Sequence, residues 1–229
     1  MAKRLAGRIS QSMKGFTGSV EALSLSESLE STKLSNLRQE LIEIVHARGL
    51  LVTDEPLRLA SGDWSRYFID GKAALARGED LHKAAVALLE LVAEEHVEFE
   101  AVGGLTMGAD QFAHAVAMIR LDVEWFSVRK APKDRGTKRL IEGSRLGAGV
   151  RVLLVDDVVT RGGSIVDAYE AIVATGASVV CAVTLVDRGA PSSGAFFEER
   201  GIPYRPLVSH EQLGIPAVGT ESQLPAKTG

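Results

Sequence analysis

The sequence predicts an α/β protein with a central, mostly parallel β-sheet flanked by helices. Segments with the composition of strands alternate along the chain with segments of helical periodicity, which is typical of successive βαβ units. The strand segments at residues 150–155 and 178–186 are almost continuously apolar, as expected for parallel strands that helices cover on both faces. The length of 229 residues suits a single large domain with short additions.

The same patterns place the elements in order. After Asn36, apolar residues recur at three- and four-residue steps and predict an amphipathic helix that ends near Gly49. Residues 51–71 contain short apolar pieces broken by proline and glycine, which indicates strands or a hairpin. Further helices are expected at residues 80–95, 110–121 and 164–175, and further strands at residues 99–102, 123–128, 150–155, 178–186 and 203–208.

The two ends of the chain differ in composition from the middle. Residues 1–33 are rich in serine and short of large apolar side chains, and we expect a flexible N-terminal extension there. Four cations and no acid occur within the first 20 residues, so an organelle transit peptide is the alternative interpretation. Residues 34–213 are expected to form a single domain, and residues 214–229 a loose C-terminal tail.

Charge and composition exclude several classes of protein. The net charge of −4 argues against a general nucleic-acid-binding protein, which usually has a basic balance. The single cysteine, Cys181, excludes an intramolecular disulfide and a metal site built from several cysteines. The sequence contains neither a run of 18 apolar residues nor an apolar segment of the secretory type, so we expect no membrane partner and a cytoplasmic location.

The segment at residues 152–164 carries the strongest functional signal. A buried strand ends in two acids, Asp156 and Asp157, and a short loop with Thr160 and two glycines then opens a helix. Glycines let the backbone approach a ligand closely, and N–H groups at the start of a helix bind phosphate. Because carboxylates repel phosphate, the two acids would hold sugar hydroxyls or a hard cation such as Mg²⁺. The pattern therefore predicts a sugar-phosphate site beyond the carboxyl ends of the strands.

Other interpretations of this segment are possible from the residues alone. Asp156 and Asp157 could be ordinary acids at a strand end, followed by a helix that Ser164 caps. A P-loop is excluded because the sequence has no Gly-x₄-Gly-Lys-Ser/Thr motif, and no Gly-x-Gly-x-x-Gly motif follows a strand to support a dinucleotide site.

A strongly basic segment precedes the predicted sugar-phosphate site. Residues 129–145 contain seven cations and two acids, a net charge of +5, and are too polar for a core element. Long loops of this kind often act as lids. Cations that close over a pyrophosphate leaving group would stabilise its charge and exclude water. A solvated loop and a nucleic-acid-binding patch are the alternatives.

Together these segments resemble a known family of enzymes. Residues 152–164 resemble the phosphoribosyl-pyrophosphate-binding motif of type I phosphoribosyltransferases. Residues 61–72, 103–110 and 128–143 resemble three segments of orotate phosphoribosyltransferases, namely the segment that holds the base and the diphosphate, the glycine loop beside the pyrophosphate, and the mobile catalytic loop. The resemblance extends from about residue 37 to about residue 208.

The resemblance implies the type I phosphoribosyltransferase fold with a small N-terminal hood. It implies transfer of a phosphoribosyl group from 5-phosphoribosyl 1-pyrophosphate (PRPP) to orotate, which gives orotidine 5′-monophosphate and pyrophosphate in pyrimidine synthesis. It further implies Mg²⁺ as cofactor, held mainly by the substrate with no direct protein ligand. The implied partners are small molecules, and the implied assembly is a homodimer in which the loop of one subunit reaches the active site of the other.

The resemblance also assigns roles to individual residues. The residues that would bind orotate are Phe68, Ile69, Thr160 and Arg188. The catalytic cations would be Lys130, Lys133 and Arg135. These three cations would also bind PRPP, together with Lys72, Arg129, Asp156, Asp157, Val158, Val159, Thr160, Arg161, Gly162, Gly163 and Ser164.

Two positions depart from the family pattern. Arg135 stands where the family usually has histidine, and arginine keeps the positive charge but cannot transfer a proton near neutral pH. Ala60 stands where some members have lysine, so Lys72 would supply that cation. Two rival functions remain open. A phosphoribosyltransferase for another base would not need Arg188, and a non-enzymatic sensor of PRPP would have little need of the loop cations.

Overall fold

A computed structural model describes residues 32–131 and 139–220 of the chain. The expectations for the N-terminal extension before residue 32, for Lys133 and Arg135, and for the tail after residue 220 lie outside these described residues.

The first part of the described chain forms a small hood. Its elements are helix α1 (residues 32–44), which continues into a wider helical turn at Val45–Gly49, strand β1 (Leu50–Arg58), strand β2 (Trp64–Ile69) and helix α2 (Gly71–Ala74). Strands β1 and β2 pair antiparallel in a two-stranded sheet of their own, so the predicted strands or hairpin of this segment form a hairpin. The Asp70 side chain caps α2 by accepting hydrogen bonds from the backbone N–H groups of Lys72 and Ala73.

The rest of the chain alternates helices and strands. Its elements are α3 (Gly78–Glu94), β3 (Ala101–Leu105), α4 (Asp110–Ile119), β4 (Glu124–Val128), β5 (Ile141–Gly143), β6 (Arg151–Val159), α5 (Gly163–Val173), β7 (Ser178–Asp187), α6 (Pro191–Glu198) and β8 (Tyr204–Ser209). Six strands form one sheet in the order β5-β4-β3-β6-β7-β8, in which only β5 runs antiparallel to its neighbour. The predicted fold class is therefore confirmed. No helix in the described residues is long and apolar enough to cross a bilayer.

Two apolar clusters, one on each face of the sheet, form the core. Leu153 and Val155 of β6 belong to a cluster with α1, α3 and α4, whereas Val152 and Leu154 belong to a cluster with α5 and α6. All four side chains are fully buried. Successive side chains of a strand point to opposite faces, so a strand covered on both sides is apolar throughout. Each of these side chains contributes about 1.5–3 kcal/mol through its burial.

Strand β3 contains two glycines and extends past the predicted end at residue 102. A Cβ atom on Gly103 would collide with the backbone oxygen of Phe126 in β4, and one on Gly104 with the backbone oxygen of Val155 in β6. The neighbouring strands therefore approach β3 too closely for a side chain at these two positions. The predicted strand end is wrong because glycine in this sequence marks close packing rather than a turn.

Three short elements are absent from the sequence prediction, and the four-residue helix α2 is the first of them. The three-residue β5 lies in the segment expected to be only a polar connection. Helix α6 packs Phe197 against Tyr204 in a stacked arrangement, with ring centroids 5.5 Å apart.

In contrast to the loose tail expected after residue 213, residues 214–220 pack onto the domain. Ile215 and Val218 are buried there, and the N–H of Val218 donates to the Arg188 backbone oxygen at 2.8 Å.

Candidate active site

The centre of the candidate site is a pair of carboxylates near the end of β6. Asp156 and Asp157 are only 5% and 7% exposed, because β6 continues past its apolar run into the space beneath the hood. The Asp156 Oδ1 accepts a hydrogen bond from the Asp157 N–H at 3.0 Å. The Asp157 Oδ1 accepts one from the Val158 N–H at 2.9 Å. These backbone contacts fix both carboxyl groups in position.

Lys72 of the hood contacts this pair directly. Its Nζ lies 2.7 Å from the Asp157 Oδ2. Partial burial lowers the pKa of Lys72, but the hydrogen bond and the charge of Asp157 more than offset that effect, so the pKa lies above its ordinary value. The structure therefore brings together three of the predicted PRPP-binding residues, from the hood and from β6.

Asp156 has an unusual protonation equilibrium. Burial and the neighbouring charge of Asp157 raise the pKa of its carboxyl group to about 7. A carboxylate that titrates near neutral pH in a cleft is a common property of functional sites.

Two glycines make room for the carboxylates. A Cβ atom on Gly71 would lie 2.8 Å from the Asp157 Cβ, and one on Gly108 would lie 2.5 Å from the Asp157 Oδ1. Gly108 belongs to the loop between β3 and α4. Asp110, at the start of α4, braces this loop by accepting hydrogen bonds from the Thr106 Oγ1 at 2.7 Å and the Ser127 Oγ at 2.6 Å. Asp110 is the last residue of the predicted glycine loop at residues 103–110, but no individual role was predicted for it. An acid in the first turn of a helix is favourable because of the helix dipole.

The loop from Thr160 to Ser164 leads from β6 into α5. Gly162 has a φ of 85°, a left-handed conformation that favours glycine, and α5 begins at Gly163. The first turn of a helix presents backbone N–H groups that have no partner within the helix, which suits a phosphate. The side chain of Val159 is buried in the core, so any ligand contact there would come from the backbone.

Three of the four predicted orotate-binding residues, Phe68, Ile69 and Arg188, lie on the hood and just after β7. Arg188 is 1% exposed, and its Nη1 donates to the backbone oxygen of Tyr67 at 2.6 Å. Its Nη2 lies 3.4 Å from the Ser65 Oγ. Phe68 is 38% exposed, whereas Ile69 is buried in the core. The structure thus places Arg188 directly against the strand that carries Phe68 and Ile69.

The described ends of the basic segment face the start of α5. The N–H of Arg129 donates to the Leu140 backbone oxygen at 2.8 Å, which closes the base of the loop. Arg129 and Lys130 line a cavity of about 360 Å³ together with Ser164 and Asp167 of α5. Lys130 is therefore close to the predicted phosphate loop. Lys133 and Arg135 lie outside the described residues.

Comparison with known proteins identifies the class that this fold and site define. Residues 79–193 match the family model described as a phosphoribosyl transferase domain. A solved structure of a phosphoribosyltransferase from Corynebacterium diphtheriae superposes with a TM-score of 0.66 and 30% identity, covering 79% of this chain and 99% of that one. The protein is a phosphoribosyltransferase.

More specific relatives identify the branch of this class. The orotate phosphoribosyltransferase of Streptomyces avermitilis is 39% identical over 186 residues, which are 80% of this chain and all of the relative. The orotate phosphoribosyltransferase of Mycobacterium tuberculosis in complex with PRPP superposes with a TM-score of 0.63 and 32% identity, covering 78% of this chain and 99% of that one. The chain belongs to the orotate phosphoribosyltransferase family.

Proposed function

We propose that the protein transfers the phosphoribosyl group of PRPP to orotate. The bond between ribose C1 and a pyrophosphate oxygen breaks, a bond from C1 to an orotate ring nitrogen forms, and that nitrogen loses its proton. The products are orotidine 5′-monophosphate and pyrophosphate. The observation that carries the proposal is the pair Asp156 and Asp157 beside a glycine-led helix start, in a chain of this family.

Three parts of PRPP, namely its ribose hydroxyls, its 5′-phosphate and its diphosphate, would bind to different residues. Asp156 and Asp157 would accept hydrogen bonds from the ribose hydroxyls, because paired carboxylates suit hydroxyl donors and repel phosphate. The N–H groups of Thr160 to Ser164 would bind the 5′-phosphate. Lys72, which contacts Asp157 at 2.7 Å, would exchange part of that contact for the diphosphate.

The leaving group requires positive charge that grows in importance as the C1–O bond breaks. Arg129 and Lys130, beside the start of α5, would provide it with Lys133 and Arg135. Cations held in place before the reaction stabilise developing charge without reorganisation. Because Arg135 cannot transfer a proton near neutral pH, its role would be electrostatic.

Mg²⁺ fits this chemistry as a companion of the substrate. The described residues contain no cluster of three or more histidine, cysteine or acidic side chains that could form a protein cage for a metal ion. Mg²⁺ commonly uses one or two carboxylates and the phosphates of its substrate. Mg²⁺ would be held mainly by the substrate, without a direct protein ligand, and would neutralise charge on the diphosphate.

Orotate would bind between the hood and the end of β7. Arg188 would recognise its oxygens through a planar guanidinium, which suits bidentate contacts. The backbone of Phe68 and Ile69 and the side chain of Thr160 would complete the base site. A cytoplasmic location goes with this proposal, since pyrimidine synthesis would draw on soluble substrates.

The proposal includes a homodimer with shared active sites. Met118 and Leu121, at the end of α4 and just after it, are 80% and 89% exposed, and Trp125 of β4 is 41% exposed. Such a group of exposed apolar side chains is typical of a surface that another subunit covers. We assign it to a second copy of this chain, whose basic loop would reach across to the active site.

A direct assay tests the proposed reaction. The purified protein is mixed with Mg²⁺, PRPP and orotate, and the loss of orotate ultraviolet absorbance is followed. We expect a loss that depends on PRPP. Turnover with uracil, hypoxanthine or adenine but not with orotate would instead assign another base. Tight PRPP binding without turnover of any base would assign a sensor.

A further inference from the structure

An ion pair joins the hood to the predicted phosphate loop. The Nε of Arg161 lies 2.6 Å from the Asp63 Oδ2, and its Nη2 lies 2.6 Å from the Asp63 Oδ1. The Asp63 side chain is 13% exposed and that of Arg161 is 53% exposed. This parallel, two-bond geometry is the strongest form of an arginine–carboxylate pair. We call the pair of Asp63 and Arg161 the hood clasp.

The surrounding residues hold the hood clasp in place. The Ser61 Oγ donates to the Asp63 Oδ2 at 2.8 Å, and the Ser192 Oγ donates to the Arg161 backbone oxygen at 2.9 Å. A Cβ atom on Gly219 would lie 3.1 Å from the Arg161 Nη2, so the guanidinium rests against a position without a side chain. Next to the clasp, a small apolar cluster of Leu59, Ala190 and Val218 joins the hood, the start of α6 and the segment after β8.

Strand β2 is thereby attached to the active-site segment near both of its ends. Asp63 immediately precedes β2 and contacts Arg161, whereas Lys72 follows β2 and contacts Asp157. Between them, the Tyr67 backbone oxygen accepts the hydrogen bond from Arg188. Because the clasp is the attachment on the phosphate side, it fixes the distance between the hood and the loop that follows β6.

The clasp also defines what the Arg161 side chain does. Its guanidinium is engaged by a carboxylate, and the hydrogen bond from Arg161 lowers the pKa of Asp63, so the carboxylate remains ionised at neutral pH. A carboxylate that occupies two of the guanidinium nitrogens competes with phosphate for the same donors, so this arrangement does not suit a direct phosphate ligand. The Arg161 backbone remains next to Gly162 and the helix start.

We propose that Asp63 and Arg161 are positioning residues, which hold the phosphate loop against the hood in the geometry that binds PRPP. The proposal rests on the proposed function, since it assumes that the loop binds the 5′-phosphate of PRPP. Neither side chain is assigned a contact with the substrate. The clasp acts through the backbone of the loop and the placement of Lys72.

Steady-state kinetics of four variants test the proposal. These are Asp63→Ala, Arg161→Ala, the double variant with both changes, and the charge reversal Asp63→Arg with Arg161→Asp. We expect each single variant to raise the KM for PRPP about fivefold, with kcat and the KM for orotate changed less than about twofold. The double variant should be no worse than either single one, because both remove the same contact. The charge reversal should recover part of the loss.

Different results would overturn the proposal. If Arg161→Ala raises the KM for PRPP while Asp63→Ala lowers it or leaves it unchanged, Arg161 is a direct phosphate ligand that Asp63 restrains. If the two single effects add in the double variant, the residues act independently. Unchanged KM values in both single variants would also contradict a positioning role.

A matched control separates the clasp from ion pairs in general. Arg205 and Glu95 form another two-bond pair at the opposite ends of the strands, and Arg205→Ala should leave the KM for PRPP unchanged. Dissociation constants for PRPP with Mg²⁺ are measured on the same proteins by calorimetry. If the unmodified protein does not consume orotate, the proposed reaction fails, but the calorimetric constants still test the clasp.

Discussion

At the scale of single residues, Asp156 couples the site to pH. Its carboxyl group has a pKa raised to about 7 by burial and by the charge of Asp157, while Lys72 acts in the opposite direction. The ionised form is the one that accepts hydrogen bonds from ribose hydroxyls without restriction. In the unliganded protein the Asp156 carboxyl is therefore partly protonated near neutral pH, and binding of the sugar would favour loss of this proton.

This proton has a measurable effect on stability. The pKa of Asp156 is higher in the folded protein than the value of about 3.9 for an unfolded chain, so its stabilising contribution is complete below about pH 4 and is lost as the pH rises through 7. We expect Asp156→Asn to gain stability relative to the unmodified protein as the pH rises from 5 to 8, by about 2–3 kcal/mol. Melting temperatures without ligand measure this difference.

A second variant serves as the control for the pH series. The hydrogen bond from Arg120 lowers the pKa of Asp122 to about 2, so Asp122→Asn should keep the pH dependence of the unmodified protein between pH 5 and pH 8. A difference between the melting curves of Asp156→Asn and the unmodified protein that stays constant with pH would show that Asp156 does not titrate in this range.

Single residues also show which features of the site can be predicted from the sequence and which cannot. Asp156 and Asp157 were predicted from residue type and motif, and Lys72 from the family resemblance. The structure brings the three side chains into one cluster. The partner of Arg161 was not predicted, because Asp63 is 98 positions away and no local pattern connects them. This contact depends on the position of the hood relative to the sheet, and the spacing of residues along the sequence does not predict that position.

At the scale of elements, the glycines of β3 determine how closely three strands can approach. We expect Gly104→Ala to destabilise the protein by about 1–3 kcal/mol, because the new methyl group would collide with the Val155 backbone oxygen in β6. Denaturant unfolding measures the change. Gly78→Ala at the start of α3 is the control, since a Cβ atom there meets nothing within 4 Å. Equal stabilities for the two variants would contradict the packing argument.

The elements that were predicted well are those with long periodic patterns. Helices α3, α4 and α5 begin and end within two residues of the predicted positions. Helix α6 was missed because it has only eight residues, and tertiary contacts of Phe196 and Phe197 with Tyr169, at 5.2 and 6.1 Å between ring centroids, stabilise it. Strand β5 was missed because three residues provide no periodicity and pairing with β4 alone defines it.

At the scale of the whole molecule, charge is divided between the basic loop and the rest of the chain. Residues 129–145 carry a net charge of +5 in a chain whose net charge is −4. The remainder is therefore strongly acidic, and the loop is the part of the molecule that attracts a small, highly charged anion. In the proposed homodimer this loop would act on the active site of the partner, so each site would need residues from two subunits.

Hybrid dimers test this arrangement. Lys133→Ala should remove a loop cation that stabilises the leaving group, and Asp157→Asn should weaken the contacts with the ribose hydroxyls. Each variant on its own should therefore have little activity. When the two are refolded together, half of the dimers should be hybrids in which one site has neither defect, and about a quarter of the unmodified activity should return. The control mixes Lys133→Ala with Arg135→Ala, which places a loop defect at both sites of every hybrid and should restore nothing. If the first mixture also restores nothing while hybrids are detected by mass, each loop serves its own subunit and the sites are not shared.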